Sequence, residues 1–221
     1  SRLDFPFFWS LATWAPVYSI LSGMTLFSTR VYADAAAATP LSKSAKRELV
    51  RLLAFCGNPS GLHQEALEAK KELDNARAII ADVLGAHADE IILTGSGTES
   101  NNLAIQGVLR PLLFLHGEVH VVTSAIEHSS VLVPLYAMER EGLYITELPV
   151  DGTGILLPRA LREVVNNQTA FISIQMVNSE VGVIQNIRAI AKEIRHIKRS
   201  RSVMNLPLYF HVDASQAPLW L

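Results

Sequence analysis

Cysteine is almost missing from this sequence: Cys56 is the only one among 221 residues. A lone cysteine cannot close a disulfide within the chain or build a multi-cysteine zinc site. It suits a reducing compartment, so a cytoplasmic location is expected. An excess of charge is missing too. Lys and Arg number 19 against 21 Asp and Glu, a formal net charge of −2, so no global basic field exists for a nucleic acid to follow. Glycine (12) and proline (10) are too few for a collagen-like or low-complexity chain. Apolar side chains, by contrast, make up 49% of the residues, ample for a packed interior and against disorder.

One run lacks charge altogether. Between Phe5 and Phe27 no residue is charged, and the run is long enough to cross a bilayer. Pro6 and Pro16 interrupt it, and Ser10, Thr13, Ser19, Ser22 and Thr25 dilute it. It also lacks the basic start and small-residue cleavage site of a secretory signal. Residues 1–30 are therefore read as an extension foreign to the fold, with Met24 as a natural start, and residues 31–221 as the folded part.

From Val31 onward short apolar runs alternate with helical ones. Tyr32–Asp34 reads as a short strand, and Ser42 caps a helix that reaches about Ala54 before the breaker Gly57-Asn58-Pro59. From Gln64 to Leu84 the apolar positions Leu73, Ala76, Ile80 and Val83 recur at helical steps as one face, and Gly85 stops the helix. Strands are predicted at Glu90–Thr94, His120–Ser124, Tyr144–Leu148, Ala170–Met176 and Leu208–Val212. Helices are predicted at Thr98 to about Leu109, Ser129–Glu141, Pro158–Val165 and Ile187–Ser200. Strands alternating with helices of this length imply crossover connections and a mainly parallel sheet, an α/β fold.

In such sheets ligands collect beyond the carboxyl ends of the strands. Four strand ends carry polar residues. Thr94-Gly95-Ser96-Gly97-Thr98 places two glycines between a strand and a helix, a geometry that can face backbone N–H groups toward an anion; an ordinary glycine turn with Thr98 as cap is the alternative. No Lys completes a nucleotide P-loop and the dinucleotide spacing is incomplete, so a phosphate held here belongs to something other than ATP or NAD. His128, after Glu127, can stack on a planar ligand, relay a proton, or simply cap a helix. Asn178 can bond a ligand oxygen or form an Asx-turn before Gly182. Asp213 follows an apolar strand directly, where a carboxylate needs a cation or donor; a protonated heterocyclic nitrogen would supply one, and a helix cap is the other reading. His116 and His120 have no third ligand nearby, so no metal site is expected.

Six segments in this order resemble the cysteine desulfurase family, class V aminotransferase-like enzymes that use pyridoxal 5′-phosphate. They are Tyr32–Pro40, Gly57–His63, Gly97–Ala104, Glu127-His128, Val177–Gly182 and His211–Gln216. The resemblance implies a fold-type I large domain over 31–221, with its C-terminal part and the small domain absent. It also implies site roles. Gly97 and Thr98 would hold the cofactor phosphate, His128 would stack on the pyridine ring as the catalytic histidine, and Asp213 would pair with the ring nitrogen. Asn178 and Gln216 would bond the phenolic oxygen, and Ala37 and Asn178 would lie near the substrate carboxylate. Ala38 and Ser179 depart from the family's usual threonine and asparagine.

The family's Schiff-base lysine, in a Ser-x-His-Lys stretch, and its persulfide-forming cysteine have no match among these residues; Cys56 lies at another position. The resemblance therefore implies the N-terminal portion of a desulfurase acting on L-cysteine, a homodimer that serves a sulfur-acceptor protein, with no turnover by this portion alone. Selenocysteine lyase, another class V aminotransferase, or a non-enzymatic remnant are the competing readings.

Overall fold

The structure is a computed structural model that describes residues 31–201 and 206–217. The uncharged run from Phe5 to Phe27 lies outside the described residues. Two compact units divide the chain, Ser1–Pro40 and Leu41–Leu221.

In the first unit the strand expected at Tyr32–Asp34 is not formed. The Asp34 carbonyl instead accepts from the amides of Ala37 and Ala38 at 3.3 and 3.2 Å, closing a turn. The Tyr32 hydroxyl donates to the carbonyls of Asp34 and Ala38 at 3.0 and 2.8 Å. Local acceptors and donors take the place of a ladder partner.

The second unit opens with two helices, α1 (Lys43–Leu52) and α2 (Gln64–Leu84). Ser42 caps α1 by accepting from the Ala45 amide at 3.1 Å. Gly85, at φ +65°, ends α2 in the left-handed conformation that glycine adopts without a Cβ penalty. The expected apolar face of α2 is not buried: only Ala66 and Ala81 are, whereas Val83 is 80% exposed and Ile80 38%. Among the described residues the main element packed on α2 is a short 3-10 turn, Ala88–Glu90, too small to cover that face. This turn also overturns the strand expected at Glu90–Thr94. The Glu90 carboxylate accepts from the His87 amide at 2.7 Å, and residues 91–94 then run on with no ladder partner among the described residues.

From Gly97 the chain builds the sheet. Helix α3 (Gly97–His116) buries Asn101, Ile105, Leu109 and Leu113, one residue per turn. It runs a further two turns past the expected end at Leu109, through Pro111. An interior proline costs about 3 kcal/mol, and burial of Leu113 beyond it opposes that cost. The remaining elements are β1 (Val119–Ser124), α4 (Ser129–Glu139), β2 (Leu143–Leu148), a 3-10 turn at Pro158–Ala160 leading into α5 (Leu161–Val164), β3 (Thr169–Gln175), α6 (Ile187–Ser200) and β4 (Tyr209–Asp213). The helix expected at Pro158–Val165 is thus split between 3-10 and α geometry.

Among the described residues the four strands are parallel, in the order β2-β1-β3-β4. Central β1 and β3 are buried along their whole length, and the edges β2 and β4 are only partly so. Side-chain alternation then separates two cores. Val121 and Phe171 point to a cluster with Ile105, Leu109, Val131 and Leu135 from α3 and α4. Val122 and Ile172 point to a cluster with Leu161, Ile190 and Ile194 from α5 and α6. The chain leaves β1 toward β2 and returns to β3 on the other side, so strand order reverses between β1 and β3. Crevices at such reversals, beyond the strands' carboxyl ends, bind ligands in open α/β sheets.

Candidate functional site

The carboxyl tips of β1, β3 and β4 carry one connected polar network. Asp213, the last residue of β4, is 4% exposed. Its Oδ1 accepts from the Ser215 hydroxyl and amide at 2.6 and 3.0 Å, and its Oδ2 accepts from Asn101 Nδ2 at 3.0 Å. Burial alone would raise its pKa. The Ser215 and Asn101 donors and the nearby His211 outweigh burial and hold the carboxyl below its ordinary value. Asp213 is therefore a buried anion whose charge is supported by donors on both oxygens.

The network continues to His128. Asn101 Nδ2 also donates to Ser130 Oγ at 2.8 Å, and Ser130 Oγ lies 2.7 Å from His128 Nδ1. His128 is the N-cap of α4, its Nδ1 accepting from the Ser130 amide at 3.1 Å. The cap reading thus describes its backbone role, while the ring remains solvent-exposed at the rim.

Gly97 joins from the other side. A Cβ built on it would lie 2.7 Å from Ser215 Oγ, the hydroxyl that donates to Asp213. With glycine here the start of α3 approaches the β4 turn without displacing that hydroxyl. The cap of α3 is Ser96, whose Oγ accepts from the Glu99 amide at 3.1 Å, so the alternative in which Thr98 is the cap is set aside. Glu99 also takes the Gly95 amide at 2.7 Å. The amides of Gly97 and Thr98, at the first two positions of the helix, have no intrahelical acceptor.

Asn178, just beyond β3, forms the Asx-turn anticipated from the sequence, its Oδ1 accepting from the amides of Glu180 and Val181 at 2.8 and 2.9 Å. Its Nδ2 donates to the Ile126 carbonyl at 2.9 Å, fastening the His128 loop to the β3 exit. Gln216 follows Asp213 in the turn after β4, half-buried. Ala37 belongs to the first unit, within the turn described above. His120 is occupied elsewhere, between the hydroxyls of Thr169 and Thr146 at 2.7 and 2.9 Å, and burial lowers its pKa. Among the described residues no cluster of His, Cys, Asp or Glu could hold a metal ion.

Sequence reasoning missed Asn101, Ser130, Ser215 and Glu127. Asn101 carried a signal: it is the one polar member of the buried stripe Asn101-Ile105-Leu109-Leu113. Its partner Asp213 stands 112 positions away, and nothing local names it.

Comparison with known proteins gives the family and the fold. The class V aminotransferase family matches residues 31–219. The chain belongs to this family. Cysteine desulfurase IscS of Dictyoglomus turgidum is 40% identical over 187 residues, covering 84% of this chain and 45% of that protein. The mitochondrial cysteine desulfurase of Candida albicans is 38% identical over 199 residues, covering 87% of this chain and 38% of that protein. Among solved structures, SspA in complex with cysteine superposes with a TM-score of 0.75 at 34% identity, covering 85% of this chain and 51% of that one. The chain thus spans about half, or less, of these relatives. The fold is that of the cysteine desulfurases, a fold-type I α/β domain. None of the described helices is long and apolar enough to cross a membrane.

Proposed function

We propose that this chain, over residues 31–221, is the cofactor-binding part of a pyridoxal 5′-phosphate-dependent cysteine desulfurase, which takes sulfur from L-cysteine and leaves L-alanine and an enzyme-bound persulfide. The observation that carries the reading is the single rim on which the Asp213 carboxylate, the His128 ring and the Gly97–Thr98 helix start are linked through Asn101, Ser130 and Ser215.

The donor set fits the cofactor's chemistry. A buried carboxylate kept ionised by its donors is the partner a protonated ring nitrogen needs. Free amides at the start of α3, with the helix dipole behind them, suit a phosphate, and the Thr98 hydroxyl adds a donor. The exposed His128 ring offers a flat face for stacking and a nitrogen for proton relay. Asn178 and Gln216 would bond the phenolic oxygen, and Asn178 would also meet the substrate carboxylate. When bound, the cofactor supplies an electron sink. Asp213 keeps the ring nitrogen protonated, His128 orients the ring, and Asn101 holds both residues in position.

The whole enzyme is proposed to act as a homodimer in the cytoplasm and to pass sulfur to an acceptor protein. No stretch of these residues matches Ser-x-His-Lys, so cofactor bound by this chain is expected to be non-covalent. Mixed with pyridoxal phosphate, the chain should bind it saturably, lose it on desalting, and release no sulfide from L-cysteine. Absence of saturable binding would refute the proposal; sulfide release with turnover would show that another residue of this chain does the lysine's work.

A further inference from the structure

We infer that Glu127 is a positioning residue of this site: a carboxylic acid whose protonated form clamps the tips of β1 and β3 across the crevice where strand order reverses, holding the His128 loop without setting a second negative charge beside Asp213. The inference rests on the cofactor reading above.

The clamp is geometric. Glu127 is 7% exposed and follows β1 by three residues. Its Oε1 accepts from the hydroxyl of Ser124, the last residue of β1, at 2.6 Å. The same oxygen accepts from the amide of Gln175, the last residue of β3, at 2.7 Å. Gln175 is in register with Asp213, and the next amide, of Met176, donates to the Asp213 carbonyl at 2.9 Å. One side chain therefore ties β1 to the strand pair that ends in Asp213. The loop it belongs to is fastened a second time where Asn178 takes the Ile126 carbonyl. His128 is the next residue along.

The charge state follows from what each oxygen meets. Oε2 is buried and has no hydrogen-bond partner among the described residues. An ionised carboxylate would leave charge on that bare oxygen, and a buried charge without a partner is costly. Protonation removes the charge and leaves Oε1 free to accept both donors.

The groups facing Glu127 favour the same state. From β4 the anion is Asp213, which opposes a second negative charge; among the described residues, β1 and β3 bring Ser124, Ser173 and the Gln175 amide, all uncharged. His211, beside Asp213, is itself pulled below its ordinary value by burial. Burial is the largest influence and, opposed by the Ser124 and Gln175 donors and more weakly by the Ser173 hydroxyl but aided by Asp213, leaves the Glu127 carboxyl pushed up to about 7. Glu127 and Asp213 are two carboxylates on one rim, driven to opposite states by what surrounds them.

The test uses the chain with ¹³C-labelled glutamate carboxyls, titrated by NMR. Glu127 should titrate near pH 7, its signal assigned by disappearance in Glu127→Gln. Amide hydrogen exchange over residues 125–128 should quicken about tenfold in Glu127→Ala, an opening about 1.4 kcal/mol easier. Glu127→Gln, which keeps the accepting oxygen, should restore most of the protection. Affinity for pyridoxal phosphate should fall in Glu127→Ala and be largely rescued by Glu127→Gln. A Glu127 midpoint in the ordinary carboxylate range overturns the inference, as does Glu127→Ala exchanging like the unaltered chain or Glu127→Gln exchanging like Glu127→Ala. Should the unaltered chain bind no pyridoxal phosphate, the cofactor reading fails, and the titration and exchange results still decide Glu127.

Discussion

Two parts of the Leu41–Leu221 unit hold themselves together in opposite ways. Helices α1 and α2 are defined by their ends and their surface charges. Ser42 caps one, Gly85 stops the other, and Arg51 reaches from Glu48 to Glu72 across them, 2.7 Å to each. Side chains in that ion pair are about a third to a half exposed, so it adds little stability. Apolar residues such as Val83 and Leu53 stay in solvent there. The strand tips do the reverse: Asp213, Asn101, Glu127, Ser124 and Ser130 are polar and buried. Helix limits can be set by local chemistry alone, whereas a buried polar cluster persists only if each member has its partner. Substitutions should therefore cost much at the tips and almost nothing on α2.

The largest effect is expected at Asp213. Asp213→Ala takes one of the two acceptors from the buried Asn101 amide, which keeps Ser130, and turns the exposed Ser215 donors to water; a buried donor stranded in this way costs about 1–3 kcal/mol. Its unfolding midpoint in denaturant should fall accordingly. Asn101→Ala comes next, because it cuts the link between Asp213 and Ser130 while leaving the Ser215 bonds intact; it should cost less than Asp213→Ala in the same experiment. A reversal of that order would show that Ser215, not Asn101, is the lesser partner.

The third prediction concerns pH. The folded-state pKa of Glu127, about 7, lies above its ordinary 4.5. Between these values the folded chain holds a proton that the unfolded chain has released. Stability therefore falls as pH rises through this window, by at most about 1.4 kcal/mol per pH unit. Asp213, shifted down, contributes in the opposite sense below its ordinary range, so the two can be separated by pH. Unfolding measured across the window should show the slope in the unaltered chain and a flatter profile in Glu127→Gln.

Gly97→Ala is expected to be milder. Its Cβ would crowd Ser215 Oγ, a small side chain that can shift at the expense of its bond to Asp213, a loss of about 1 kcal/mol. Smallest of all is Val83→Lys on the exposed face of α2, which should stay within about 0.5 kcal/mol of the unaltered chain. A large loss there would mean that the face is covered, and the contrast between the two regions would fail.

Most of the sheet was readable because its signals are local. The bounds of α2 and α6 match the expected Gln64–Leu84 and Ile187–Ser200, where caps and apolar steps coincide. The failures occurred where tertiary context decides. Residues 91–94 carry strand-forming side chains, yet a strand needs a neighbour, and none of the described residues pairs with them. α3 overran its expected end because Leu113 had a core to enter. At the site, His128, Gly97 and Asp213 were each visible as polar or glycine residues at strand ends. Their connection through Asn101 and Ser130 was not, because hydrogen bonds between residues 29 and 112 positions apart leave no periodic trace. Glu127 stood in view beside His128, but its state depends on burial and on Asp213, and neither is written in its neighbourhood.

The most direct test of the cofactor site is an equilibrium titration of the unaltered chain and of Asp213→Asn with pyridoxal phosphate, followed by absorbance. The substitution keeps the shape of the side chain, removes its charge and turns one of its two accepting oxygens into a donor. The account predicts saturable binding by the unaltered chain and affinity at least about tenfold weaker in Asp213→Asn, the worth of a charged partner at the ring nitrogen. Equal affinity in the two, or no binding by the unaltered chain, would contradict it.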